Sequence, residues 1–348
     1  MDRTCSFSFL VSEKDHGKRL DQFLAAGVPG STMGLSRSQA KKLIEEGRVL
    51  TDGKPGRPSL HVKAGNQVSA TLPGPRHLSI EPEPVPLSVL YEDASIIVID
   101  KPPGLVVHPA PGNPSGTLVN ALIHHCRNLA RIDQISEGQK SENRSEEGLR
   151  PGIVHRLDKE TSGVIVVAKD EGAYQDLTKQ FKNRTIDKVY LAIARGRFTQ
   201  EEGVIDLAIG RHPTERKRMS TRSPRMRRAK AALTRWRVLE RLNGVTLLEI
   251  SPKTGRTHQI RVHLSAMGHP LLGDPLYGRG RALQDHTLKE CSRRLGRQAL
   301  HAHRLDLTHP ATGKRLQFIS PLPADMREVL DWLRSEKKTS DTRLQTSD

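Results

Sequence analysis

The chain has 348 residues, with 56 Lys and Arg against 39 Asp and Glu, for a formal net charge of +17. That length accommodates one large domain and a small one, and the charge favours a polyanionic partner, nucleic acid ahead of an anionic membrane surface. No stretch approaches the roughly 20 apolar residues of a membrane span and the first residues lack the apolar core of a signal peptide, so a soluble, cytoplasmic protein is expected.

Residues 1–16 read as an N-terminal extension and 17–75 as a compact basic module. Ser36 is placed to cap a helix from Arg37, Gln39 to complete a capping box, and Gly47 to stop the helix after Glu46. Ala40, Leu43 and Ile44 share one face of it, while Arg37, Lys41 and Lys42 fall on others. Val49-Leu50 then leads into Asp52-Gly53, a strong hairpin signal. The module carries nine Lys and Arg against four acids, which suits either a solvated helix or an RNA-facing one.

Five prolines between residues 73 and 86 keep the chain extended, so 76–86 is expected to be a linker and 87–335 the larger domain. Ile96-Ile97-Val98-Ile99 reads as a buried strand running into Asp100-Lys101-Pro102-Pro103-Gly104, with Leu105 to Pro109 continuing it. Residues 133–148 hold five acids, two bases and almost nothing apolar; such a segment cannot bury enough surface to order itself, and a mobile insertion is expected.

Residues 152–163, Gly-Ile-Val-His-Arg-Leu-Asp-Lys-Glu-Thr-Ser-Gly, run into the β-branched stretch Val164 to Ala168. Asp158 stands between Arg156 and the turn Thr161-Ser162-Gly163 at the edge of a predicted strand, where a rigid element can hold a reactive side chain in place. Arg156 is near enough in sequence to keep Asp158 ionised, although the same pair serves equally as a salt bridge within a turn. Tyr174 to Asn183 has helical character, and Lys188 to Ala194 alternates as a strand. Residues 211–230 hold nine Lys and Arg and one Glu, a density that repels itself unless a polyanion lies against it. Leu247 to Ile250 predicts a strand, Thr254 the start of a helix through Leu264, and Leu272 to Gly278 a loop. A helix from Ala324 follows Pro321-Leu322-Pro323, and 336–348 is expected to be a charged, disordered tail.

His258 with His263, and His301 with His303, lack the spacing and companions of metal ligands, and no metal is expected. Cys5, Cys126 and Cys291 stand far apart, excluding a zinc knuckle or a disulfide framework. Phosphate-cradling glycine loops are absent, and twelve aromatics are too few for a broad stacking platform. His303-Arg304-Leu305-Asp306 repeats the letters around Asp158 without the Thr-Ser-Gly turn; Leu300, Ala302, Leu305 and Leu307 read as a strand lining the core, which makes Asp306 a decoy. A glycosidase would want two carboxylates roughly 5–9.5 Å apart, and the central word offers Glu160 alone beside Asp158.

The word HRLD-x-x-TSG resembles the signature of the RluA/RluD-type pseudouridine synthases. Asp100-Lys101-Pro102-x-Gly104-x-x-Val107-His108-Pro109, Thr254 to Leu264 and Leu272 to Gly278 resemble other motifs of that family, over roughly residues 17–330. Arg19-Leu20-Asp21, Ser36-Arg37-Ser38, Ile44, Gly47-Arg48-Val49 and Asp52-Gly53-Lys54 resemble an S4 RNA-binding domain. The fold implied is α+β: a small N-terminal S4 domain, then a catalytic domain with a long mixed, mainly antiparallel sheet and a central cleft. The activity implied is isomerisation of uridine to pseudouridine in a flipped nucleotide, without metal or cofactor. By resemblance Asp158 is the catalytic acid, as a nucleophile on the ribose or as the base that forms a glycal. Arg261 pairs with it, Tyr190 stacks on the base, and Arg156 fills the place of the flipped nucleotide. Arg37, Lys41, Lys42 and Arg48 dock RNA. Together with Gly112-Asn113 and Leu118 to Leu122, the pattern is most like the RluD type, which implies action on a stem-loop of large-subunit ribosomal RNA; the partner expected is that RNA or the assembling large ribosomal subunit, and the protein is expected to be a monomer. The alternatives are another rRNA or tRNA site, or a ribosome-assembly factor without catalysis.

Overall fold

The computed structural model describes residues 5–26, 37–72, 80–110, 112–126, 129, 151–215, 217–221, 229–278 and 285–345. It divides into two compact units, Met1–Ser79 and Ile80–Asp348.

In the first unit β1 (Cys5–Leu10), α1 (Leu20–Ala25), α2 (Arg37–Glu45), β2 (Val49–Thr51), β3 (Lys54–Pro55) and β4 (Gln67–Leu72) follow in order, with an antiparallel sheet β1-β4-β2-β3. Residues 5–10 are therefore an edge strand and not an extension: Phe9 packs on the core that Val11 enters, so the segment has an apolar row to bury. Asp52 and Gly53 have φ of 49° and 74°, the left-handed pair that a two-residue hairpin requires. Helix α2 buries Ala40, Leu43 and Ile44 against Leu20 and Phe23 as its periodicity predicts; the capping Ser36 lies outside the described residues.

The second unit holds β5 (Val89–Glu92), β6 (Ile96–Lys101), α3 (Leu118–His125), β7 (Ser162–Ala168), α4 (Glu171–Asn183), β8 (Asp187–Arg195), β9 (Glu202–Asp206), the hairpin β10 (Gly210–Arg211) and β11 (Met219–Ser220), β12 (Leu233–Leu242), β13 (Val245–Pro252), α5 (Gln259–Ala266), α6 (His286–Leu295), β14 (Leu300–Thr308), β15 (Arg315–Ile319) and α7 (Ala324–Gln345). Nine strands form one sheet in the order β5-β6-β7-β14-β8-β13-β12-β9, with β15 on β14. Only β7 and β14 run parallel, so the sheet is mixed and mainly antiparallel. Strands β6 and β7 are apolar on both faces because both are covered. Ile97, Ile99, Ile165 and Val167 pack with Leu118 and Leu122 of α3, while Ile96, Val98, Val164 and Val166 pack with Ala173 and Leu177 of α4.

Four boundaries differ from those expected. The second unit takes in residues 80–86: Ile80 and Leu87 pack on its core, and Asn120 Nδ2 donates to the Glu81 carbonyl at 2.8 Å. Residues 105–109 leave the sheet after Gly104, whose φ of 84° turns the chain under the Asp158 loop. Helix α5 starts at Gln259, because His258 before it is left-handed (φ 54°). Helix α7 runs on to Gln345, where a disordered tail is expected from composition. The 133–148 insertion lies outside the described residues, as does part of the basic run 211–230.

Candidate active site

Strand β7 begins where Asp158 must be held. Gly163, with φ of 110°, faces Ala302 of β14 so closely that a Cβ would sit 2.2 Å from the Ala302 carbonyl oxygen, which is why the Thr-Ser-Gly turn ends in glycine. Ser162 Oγ meets His301 Nδ1 at 3.0 Å, and Gln298 Nε2 donates to Thr161 Oγ1 at 3.3 Å. Two buried cations grip the next turn. Lys101, with none of its surface exposed, donates to the carbonyls of Pro102, Leu105 and Lys159 at 2.7, 2.9 and 3.0 Å. Arg297 donates to the Glu160 carbonyl at 3.1 Å and is itself clamped by both oxygens of Asp325. Burial pushes the Lys101 ammonium down to about 8, so three carbonyls have replaced its water.

Asp158 is partly open to solvent. Its Oδ2 accepts from Arg261 Nη1 at 3.0 Å, and its Oδ1 takes no hydrogen bond among the described residues. Arg261, on α5, is almost wholly buried and lies between two carboxylates: its Nε and Nη2 make a bidentate pair with Asp274 at 2.8 and 2.9 Å. Burial works against its charge, and the two carboxylates more than offset that, holding it firmly protonated. Asp274 also accepts the backbone N–H of Leu276 and Tyr277, so the loop 272–278 fixes the arginine that reaches Asp158.

His258 Nε2 lies 3.8 Å from Asp158 Oδ2, and its Nδ1 is 3.0 Å from Tyr277 Oη. That hydroxyl also accepts from Met219 N–H at 2.8 Å, which ties His258 to the start of β11 through one oxygen. Burial drives His258 toward the neutral form, against the pull of Asp158. Tyr190, on β8, lines the same cavity; burial and then the Asp158 charge push its hydroxyl upward, so it stays protonated.

The cavity is about 530 Å³ and is framed by residues 154–158, the end of α4, β8 and residues 252–261. It brings together Asp158, Tyr190, Arg261 and Arg156. Arg156 does not bond Asp158 as its spacing suggests: it is exposed, without a hydrogen bond or ion pair among the described residues, and Arg261 takes that place. Its neighbour His155 points inward, stacks on Phe181 at 4.7 Å and accepts Val166 N–H at 3.0 Å; burial pushes it down to about 3.

The second HRLD word lies along β14. Asp306 pairs in register with Asp187 and Gln317 and its carboxylate meets Arg304 at 3.2 Å, while Leu305 and Leu307 enter the core. His263 is buried on Thr234 and the Leu207 carbonyl, and His301 and His303 both reach the Ser320 carbonyl. Glu92, His125 and Cys126 converge elsewhere, where the Lys169 ammonium 2.8 Å from Glu92 supplies the counter-charge. In the first unit Arg37 bonds Asp21 at 3.0 Å, Lys41 and Lys42 lie 3.6 and 3.7 Å from Glu45 and Glu46, and Arg48 lies 3.1 Å from Glu46; all four remain exposed. Arg19 and then Arg37 hold Asp21 down to about 2.

Sequence reasoning had no role for Lys101, Arg297, Asp274 or His258. Their signals were polar residues in otherwise apolar or turn-forming motifs, which spacing alone does not convert into contacts.

A polar cavity with one carboxylate, its buried arginine and a half-buried tyrosine is a candidate enzyme site, and the cations around it suit an anionic substrate. Residues 95–266 match the RNA pseudouridylate synthase model, and residues 18–68 match the S4 domain. The chain is 39% identical over 324 residues to the uncharacterized RNA pseudouridine synthase YlyB of Bacillus subtilis (93% of this chain, 97% of that one). It is 41% identical over 326 residues to the ribosomal large subunit pseudouridine synthase D of Pseudomonas aeruginosa (92% and 94%). The solved structure of human RNA pseudouridylate synthase domain containing 4 superposes with a TM-score of 0.53 at 29% identity, covering 71% of this chain and 93% of that one. The chain belongs to the RNA pseudouridylate synthase family. It is an isomerase that converts uridine to pseudouridine in RNA, with an S4 RNA-binding domain ahead of the catalytic one.

Proposed function

We propose that this isomerase acts on uridine in large-subunit ribosomal RNA, as the names of its synthase D relatives state for those proteins. Asp158 carries the chemistry. The observation behind this is the single carboxylate of the cavity, held at one oxygen by Arg261 and free at the other among the described residues. The target nucleotide leaves the RNA stack to reach it. The N1–C1′ bond then breaks, the uracil turns and C5 bonds to C1′; C5 gives up its proton and N1 gains one, so no redox partner is consumed.

In this reading Tyr190 stacks on the base, an interaction that typically contributes about 1–3 kcal/mol. Arg156, exposed and unpaired among the described residues, occupies the place that the flipped nucleotide leaves. Residues 1–79 act as a docking unit through Arg37, Lys41, Lys42 and Arg48, and residues 80–335 as the catalytic unit. A monomer is the assembly proposed. No helix among the described residues is long and apolar enough to cross a membrane, in keeping with a cytoplasmic enzyme beside its ribosomal substrate.

The test is to map pseudouridines in ribosomal RNA from a strain lacking the protein and to restore it with wild type, Asp158→Asn or Asp306→Asn. Wild type and Asp306→Asn should return the missing pseudouridines in 23S RNA and Asp158→Asn should not, while binding RNA within a few-fold. A 23S RNA map unchanged by the deletion would refute the target. Pseudouridine formed by Asp158→Asn would refute the residue.

A further inference from the structure

The cavity is lined by seven Lys and Arg and by one acid, Asp158, which Arg261 already faces. No acid in the lining offsets the charge of the side chains away from that pair. Lys188 and Tyr190 are two residues apart on β8 and so stand on the same face of the sheet, toward the cavity. Lys188 is half-buried, and among the described residues its ammonium has no hydrogen bond or ion pair. Lys253 and Arg184, its two charged neighbours, are both cations.

Arg184 ends α4 in a left-handed conformation (φ 61°), exposed and with no partner for its guanidinium among the described residues. Lys253, just past β13, is 3.6 Å from Asp187, a carboxylate already shared with Arg315 at 3.0 Å. Three elements thus deliver three cations to the lining of one cavity. Burial, then Lys253 and Arg184, push the Lys188 ammonium below its ordinary value. A half-buried ammonium beside two like charges is unfavourable alone and becomes favourable when an anion with several acceptor oxygens bridges them.

We propose that Lys188, Arg184 and Lys253 form a phosphate subsite that holds an RNA phosphodiester flanking the uridine, fixing the ribose beside Asp158. The subsite rests on the reading of the cavity as the place where an RNA uridine is isomerised. It also gives the two β8 side chains different work: Tyr190 meets the base and Lys188 the backbone.

The experiment uses the full-length protein and a synthetic RNA hairpin carrying one loop uridine. The phosphodiester on either side of that uridine is replaced, one at a time, by an uncharged methylphosphonate. For wild type, one of the two replacements should lower kcat/KM about tenfold, the size of one missing charge-assisted hydrogen bond. Lys188→Met should lose about as much on the unmodified hairpin, and the same replacement should then cost it less than about twofold more. Arg184→Gln, at an exposed helix end where folding is unaffected, should show the same coupling.

Independent costs of variant and methylphosphonate at both linkages would overturn the subsite, as would full activity of Lys188→Met. So would an anion site filled by free phosphate alone, in which inorganic phosphate protects Lys188 from acylation while the methylphosphonates cost nothing. Equilibrium binding of the same hairpins measures the coupling without turnover. Coupled binding with no pseudouridine formed from any hairpin would sink the isomerisation reading of the cavity and leave the phosphate subsite standing.

Discussion

Lys101→Met keeps the length of a side chain that is wholly buried beneath the Asp158 loop and removes its three N–H donors. Hydrogen bonds to a charged group contribute about 1.5–3 kcal/mol each. Opposing them, burial lowers the ammonium from 10.5 to about 8, which corresponds to roughly 3 kcal/mol near neutral pH. The balance predicts a net loss of about 2–6 kcal/mol for Met. The folded value lies below the unfolded one, so between about pH 8 and 10.5 the unfolded chain holds more protons and wild-type stability rises with pH. Below pH 8 this dependence is absent, and the Met variant lacks it throughout. The gap between the two proteins should therefore widen by up to roughly 3 kcal/mol from pH 8 to 10.5. Urea unfolding followed by tryptophan fluorescence reads this directly, since Trp236 and Trp332 both lie in the second unit. Turnover should fall at least about tenfold, because the Lys159 carbonyl, one residue from Asp158, loses its anchor. A gap that stays constant with pH, or a Met variant of wild-type stability and turnover, would refute the clamp.

Asp274→Asn should leave RNA binding within a few-fold and lower kcat by about 10- to 100-fold, because Arg261 loses the charged partner that orients it toward Asp158; single-turnover kinetics separates the two effects. Gly163→Ala forces a Cβ against the Ala302 carbonyl at positive φ and should destabilise the second unit by about 3 kcal/mol or more, read by the same fluorescence transition. Removing residues 1–79 should leave a folded catalytic unit whose RNA affinity depends less steeply on salt, the log–log slope falling by about 0.7–0.9 for each phosphate that the protein no longer neutralises. An unchanged slope would return Arg37, Lys41, Lys42 and Arg48 to a solvated surface.

What the sequence determined by itself is local. The runs Ile96 to Ile99 and Val164 to Ala168, the one-sided α2 and the Asp52-Gly53 hairpin are fixed by backbone periodicity and turn sterics, which act over a few residues. The family motifs likewise singled out Asp158, Tyr190 and Arg261. Spacing alone suggested Arg156 as the partner of Asp158, and tertiary structure decided otherwise, placing there an arginine 103 residues away. The same holds for Lys101 under Lys159, Arg297 under Glu160 and Asp274 behind Arg261, and for three cations from separate elements that line one cavity. Those pairings depend on the register of β6, β7, β14 and β8 and on which faces α3 and α4 cover. A side chain's own neighbours in sequence carry no record of that arrangement, because an ion pair is selected by distance in the folded chain and by the cost of leaving either charge buried alone.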